Sequence, residues 1–118
     1  MRSRGIIVQK HNRSDDFTVP YWLFSLRFDM NLQERIILSV VFEFQDKDPI
    51  KTSFREISRI TGISRSYVAR VLNKFERDEY IFGQGISPFT TTKIYKFLDI
   101  AVRSMKRIAE VDDNESIW

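Results

Sequence analysis

A chain of 118 residues with 42% hydrophobic and 14% aromatic content is the size of one domain, able to enclose a core and too apolar to remain disordered. It holds no cysteine, which excludes disulfides, zinc-thiolate sites and cysteine nucleophiles. The net charge of +3 is unevenly spread: residues 1–14 carry +4 (four basic, none acidic), 15–52 carry −3 (four against seven), 53–107 carry +6 (eleven against five) and 108–118 carry −4 (none against four).

Residues 1–16 are polar and aperiodic and read as a basic arm that becomes ordered on binding. The apolar run Gly5–Val8 is too short for the core of a secretory signal, and Ile36–Phe44 is too short and too interrupted to span a bilayer. The expectation is a soluble, cytoplasmic protein with no membrane contact. Next comes an aromatic segment, Phe17, Tyr21, Trp22, Phe24, Leu26 and Phe28. It reads as a short helix across the core, with a subunit interface as the alternative.

Asn31 and Glu34 have the spacing of a capping box, with Asn in place of Ser or Thr. Leu32, Ile36, Val40 and Phe44 then recur every four residues, predicting a helix to about Phe44. The charged segment Gln45–Lys51, with Pro49, predicts a loop. Ser53 and Glu56 predict a second capping box, opening a short helix whose inward residues are Phe54, Ile57 and Ile60. Gly62 ends it by taking the left-handed conformation of a helix C-cap. Ser64 then caps a further helix with Val68, Val71, Leu72 and Phe75 on its inner side. Two short helices joined by a glycine turn make a helix-turn-helix.

Tyr80-Ile81-Phe82 predicts a strand, Gly83–Pro88 a loop with its tip at Gln84-Gly85-Ile86-Ser87, and Thr90–Phe97 a returning strand. A hairpin directly behind a helix-turn-helix is a wing. Asp99 predicts the cap of a last helix through Ile100, Val102, Met105, Ile108 and Ala109, followed by a loose acidic tail beyond Val111. The expected organisation is an arm over 1–16, a winged helix-turn-helix domain over 17–110, and a tail over 111–118. The fold class is mainly α with a small β-hairpin.

A helix fits the major groove, where each base pair shows its own pattern of donors and acceptors, and the residues of its first turns reach deepest. The outward residues after Ser64 are Arg65, Ser66, Ala69, Arg70, Asn73, Lys74 and Arg77. Of these, Ser66, Arg70, Asn73 and Arg77 fall three or four apart, on one face. Arginine forks onto guanine and asparagine pairs with adenine, so Arg70 and Asn73 are the candidates for base contacts. Arg65 and Ser66 reach bases or phosphates, and Tyr67 either packs or reaches a phosphate. Lys74 and Arg77 are phosphate contacts or plain solvated charges. In the wing, whose tip can lie along a minor groove or the backbone, Lys93, with Lys96 behind it, is a candidate DNA contact, although strand lysines also guard against aggregation.

Ser53–Ile81 resembles the helix-turn-helix of bacterial, plasmid and phage winged-helix proteins, in the pattern Ser64, Val68, Leu72, Phe75 ending in Tyr80-Ile81. Val19-Pro20-Tyr21-Trp22-Leu23 and the helix after Asn31 are similar to winged-helix domains of phage and plasmid replication proteins. With Thr92-Lys93-Ile94-Tyr95 and the final helix, the combination resembles the TubR-like centromere-binding adaptors of tubulin-type plasmid partition. That resemblance implies a dimer binding repeated sites, autoregulation, and a tubulin-like GTPase as partner. Related endings in MarR-type repressors keep a repressor or replication accessory role open. Glu79 stands where many winged helices have glycine, which predicts a differently shaped helix terminus.

Catalysis is not expected. His11 is the sole histidine and lies in the arm, while Asp46, Asp48, Asp112, Asp113 and Glu115 read as solvated charge instead of metal ligands. Gly83 and Gly85 lack the lysine of a phosphate-binding loop. No cofactor is implied. The competing class is a winged-helix module that docks proteins, against which the arginine-bearing face argues. Homodimerisation is expected through the surfaces around Trp22 and Phe24 and around Val102, Met105 and Ile108.

Overall fold

The computed structural model describes the backbone of residues 13–116 and the side chains of 14–110. Most of the arm, His11 included, and the side chains of the acidic tail lie outside the described residues. Short 3-10 turns at Arg13–Asp15 and Tyr21–Phe24 lead into α1 (Leu32–Phe44); a third, Pro49–Thr52, precedes α2 (Phe54–Thr61) and α3 (Arg65–Arg77). The hairpin strands β1 (Ile81–Gly85) and β2 (Lys93–Phe97) follow, and then α4 (Asp99–Ser116). Four α-helices and one antiparallel hairpin make the described chain mainly helical, as expected.

Asn31 opens α1 with both halves of its capping box in place. Its Oδ1 accepts from the Glu34 N–H, and Glu34 Oε1 accepts from the Asn31 N–H, each at 2.8 Å. Ile37, Leu38, Val40, Val41 and Phe44 bury one broad face of this helix. Trp22 reaches the same core from its 3-10 turn, edge-on to Phe42 at 5.0 Å and to Phe97 at 5.8 Å. The aromatic segment is therefore core at Trp22 and Leu23, while Tyr21, Phe24 and Leu26 stay exposed.

Between these elements lies Arg35, a buried residue whose role the apolar pattern does not reveal. Its guanidinium donates to the carbonyls of Leu23, Ser25, Phe28 and Met30, closing the irregular segment between the aromatic turn and α1. The Ser25 and Phe28 carbonyls also accept from the Phe28 and Met30 N–H groups, whereas Arg35 is the donor that reaches those of Leu23 and Met30.

The Ser53–Glu56 capping box forms only by half. Ser53 Oγ accepts from the Glu56 N–H at 3.3 Å, but the Ser53 N–H is already spent on the Ile50 carbonyl. Glu56 turns instead to Arg59, at 2.8 Å. Gly62 caps α2 at φ 78°, as its position predicts.

The terminus of α3 keeps the shape that glycine would give, contrary to the expectation drawn from Glu79. Glu79 sits at φ 65°, with its N–H on the Glu76 carbonyl and the Tyr80 N–H on the Phe75 carbonyl. These are the two bonds of a Schellman ending, and Phe75 and Tyr80 make its usual apolar contact, with rings 5.5 Å apart. The left-handed conformation is imposed on a side-chain-bearing residue by the bonds around it.

The hairpin is longer in its first strand than the glycines suggest. Gly83 and Gly85 pair with Tyr95 and Lys93 within the ladder, and the loop is 86–92. Gly83 is not a turn residue: a Cβ there would lie 2.9 Å from the Tyr95 ring. The outer edge of β2 is closed by side chains. Thr52 Oγ1 accepts from the Tyr95 N–H at 2.9 Å and Gln45 Oε1 from the Phe97 N–H at 2.8 Å, which removes an open strand edge. Asp99 is the first residue of α4, not its cap, and the Leu98 carbonyl before it accepts from Ala101 and Val102. The helix then continues to Ser116, through backbone expected to be loose.

Candidate nucleic-acid interface

The recognition candidate is α3, and its orientation is set by α1. Ser64 caps it, Oγ accepting from the Tyr67 N–H at 3.3 Å, and Val68, Val71, Leu72 and Phe75 are buried as the spacing predicts. Two of its outward residues then reach back to the capping box of α1. The Tyr67 hydroxyl accepts from Asn31 Nδ2 at 2.9 Å, and Lys74 Nζ donates to Glu34 Oε2 at 2.8 Å. Burial raises the Glu34 carboxyl, but the Lys74 and Asn31 hydrogen bonds outweigh it and hold the group below its ordinary value. The same Glu34 contact raises Lys74. Tyr67 and Lys74 thus occupy a structural clasp between the two helices, a role that spacing along α3 alone does not distinguish from phosphate contact.

With those two engaged by α1, Arg65, Ser66, Arg70, Asn73 and Arg77 remain exposed on α3. The Arg70 guanidinium rests 5.6 Å from the Tyr67 ring centroid, a cation–π contact that leaves its donors available. Neither Arg65 nor Arg70 forms an ion pair with another described residue. Arg77 lies 3.9 Å from Asp78, at the limit of a salt bridge.

Arg55 is a candidate that the helix pattern passes over. It is exposed in the first turn of α2 and lines a shallow pocket with Glu56, Ser58, Arg59 and Arg65, where the two helices of the motif meet. Its position just after the Ser53 cap was the available signal. Arg59, in contrast, is held by Asp15 and Glu56. In the wing, Lys93 is half exposed and 3.9 Å from Glu76, while Lys96 is paired with Asp46 at 3.1 Å. Lys93 therefore stays available and Lys96 is engaged elsewhere. Among the described residues no cluster of His, Asp or Glu has the arrangement of a metal site, and no helix is long and apolar enough to cross a membrane.

The two helices, the left-handed glycine between them and the hairpin behind them reproduce a winged helix-turn-helix. No curated protein and no solved structure matches the chain. Residues 33–81, from α1 to the start of β1, match the family model described as winged helix-turn-helix DNA-binding, and a domain of that kind is thereby detected in this chain.

Proposed function

We propose that the protein binds double-stranded DNA sequence-specifically, laying the first turns of α3 in the major groove, and that it acts as a homodimer. The observation that carries this reading is the pair Arg65 and Arg70, exposed on the outer side of α3 with no ion pair to another described residue. A free guanidinium at such a position forks onto guanine O6 and N7. Ser64, Ser66 and Asn73 complete the base-facing end; Arg77, Lys93 and Arg55 supply phosphate contacts, which fix register without reading sequence. No catalytic role enters this account.

One recognition helix covers too few base pairs for useful specificity, so two copies occupy adjacent half-sites. The surface we assign to pairing differs from the one expected from sequence, because Trp22 and Met105 are buried within the protomer. It comprises Phe24 with Tyr21 and Leu26, in and beside the turn that packs on α4, and Ile100 and Ile108 on α4, all exposed.

On the resemblance to centromere-binding adaptors, the cellular role proposed is plasmid partition with autoregulation: dimers coat repeated sites in the cytoplasm and present them to a tubulin-like GTPase. The opposite charges of the two chain ends, +4 over 1–14 and −4 over 108–118, support attraction between neighbouring dimers. Footprinting on arrays of one to five sites tests the reading. Affinity per site rises with array length if dimers cooperate, and loses that rise when residues 1–14 are removed. Equal affinity per site at every length contradicts coating and leaves a dimeric repressor.

A further inference from the structure

We propose that Phe89, in the wing loop, is an apolar wedge that enters the DNA minor groove and opens a base step, an inference that rests on the DNA-binding reading above. Phe89 is 96% exposed, the most exposed large hydrophobic residue among those described. Among the described residues no group covers this ring, yet the loop that carries it is braced. Ser87 Oγ accepts from the Phe89 N–H at 3.1 Å, and the Ser87 carbonyl accepts from the Thr90 N–H at 3.4 Å. Thr90 Oγ1 accepts from the Thr92 N–H at 3.1 Å, and the Ile86 N–H closes the loop on the Thr92 carbonyl at 3.4 Å. Pro88 fixes the backbone immediately before the ring. These hydrogen bonds brace the backbone that carries Phe89, so little main-chain freedom is lost when the ring docks.

The chemistry around the ring points to a polyanion. Residues 80–98 contain no Asp or Glu, in a chain whose charged content is 30%. Ser87 and Thr91 beside Phe89 offer hydroxyls of the kind that bond sugar and phosphate oxygens, while the Thr90 hydroxyl is spent on Thr92. The loop between Gly85 and Lys93 also lacks Arg and Lys, so it has no cation with which to follow the negative potential of a narrow groove. An apolar side chain used there acts by partial unstacking, as the inserted Phe, Leu, Ile, Met or Pro of minor-groove binders does.

Placement agrees. Ile86 and Thr92, at the root of the loop, share a cleft with Ser53, Phe54, Arg55 and Glu56. Arg55 and Glu56 also line the pocket that reaches Arg65. Wing root, start of α2 and start of α3 therefore follow one another on a continuous surface, and DNA held on α3 and Arg55 meets the wing in its flanking groove.

The test uses the duplex that the full chain enriches from a random library of about 30 base pairs, with 2-aminopurine placed stepwise along the flanks and a fluorescence donor and acceptor at its ends. Wild-type protein should raise 2-aminopurine emission at one step and shorten the end-to-end distance. Phe89→Ala should lose both signals and bind about tenfold more weakly, while Phe89→Leu keeps them, and all three proteins melt alike. Unchanged affinity and bending in Phe89→Ala overturns the wedge, as does a wild-type complex with undisturbed stacking. If Phe89→Ala leaves the DNA complex intact but abolishes an association between proteins in sedimentation, the ring faces a protein and the proposal is wrong. Arg70→Ala separates the two readings: loss of binding there with none in Phe89→Ala removes only the wedge, whereas a wild-type chain that enriches no duplex removes both.

Discussion

The Asp15 carboxylate holds the Arg59 guanidinium through two hydrogen bonds, Oδ2 to Nη1 at 2.9 Å and Oδ1 to Nη2 at 3.1 Å, which fastens the segment before the aromatic turn onto α2. Lys51 Nζ completes the group, 3.0 Å from Asp15 Oδ1. The Arg59 bond is the largest influence on Asp15 and, with Lys51, overrides the opposing effect of burial, lowering its pKa from 3.8 to about 2.

A carboxyl depressed in the folded state adds stability that is present above its unfolded pKa and disappears as pH falls through the folded one. The contribution is about 2 kcal/mol at neutral pH, reduced toward about 1 because Arg59 is half exposed and screened. Asp15→Asn should lower stability by that amount at pH 7 and flatten the part of the acid limb between pH 4 and pH 2. Urea melts across this window check it; an unchanged acid limb contradicts the assignment.

Glu79 holds a left-handed conformation that costs a residue with a side chain about 1–2 kcal/mol. Glu79→Gly should therefore stabilise the fold, by about 0.5–1 kcal/mol once the greater freedom of glycine in the unfolded chain is deducted. A raised thermal midpoint is expected, and a lowered one would mean that the Schellman bonds do not impose the strain.

Arg35→Met should cost about 3 kcal/mol, since it leaves the Leu23 and Met30 carbonyls without their donor and removes a second donor from those of Ser25 and Phe28, while keeping most of the side-chain volume. Amide exchange in residues 23–30 should accelerate in this variant more than exchange within α4. Equal acceleration everywhere would show a general loss of packing instead.

Lys74 and Arg55 should separate structural from DNA-contacting charge. Lys74→Ala is expected to lower stability by about 0.5–1 kcal/mol through the lost Glu34 pair, leaving the salt dependence of DNA binding unchanged. Arg55→Ala should leave stability alone and reduce the slope of log affinity against log salt by about 1. Gel shifts at four salt concentrations distinguish the two; a reversed pattern would exchange their roles.

Much of this architecture is legible along the chain because its signals are local. Asn31 with Glu34, Ser64 before Val68 and Leu72, and Gly62 between two short helices each act within a turn or two of themselves. What escapes is set by partners distant in sequence. Arg35 looks like one more surface charge until the loop before it folds over, and the pairing of Lys74 with Glu34 is invisible until α1 brings the two together. Gly83 carries the usual mark of a loop, yet it serves a strand, because the Tyr95 ring takes the space of its missing side chain. Nothing in periodicity marks Phe89 either, because its exposure becomes visible only when the loop around it is built.

The central claim is that α3 reads DNA through Arg70, and the most direct measurement is the affinity of Arg70→Ala for the duplex selected by the wild-type chain and for variants of it changed one base pair at a time. The account predicts a loss of about 1–3 kcal/mol on the selected duplex and a flattened preference at one base-pair position, with the others still discriminated. An Arg70→Ala protein that keeps both its affinity and its full preference profile would contradict it.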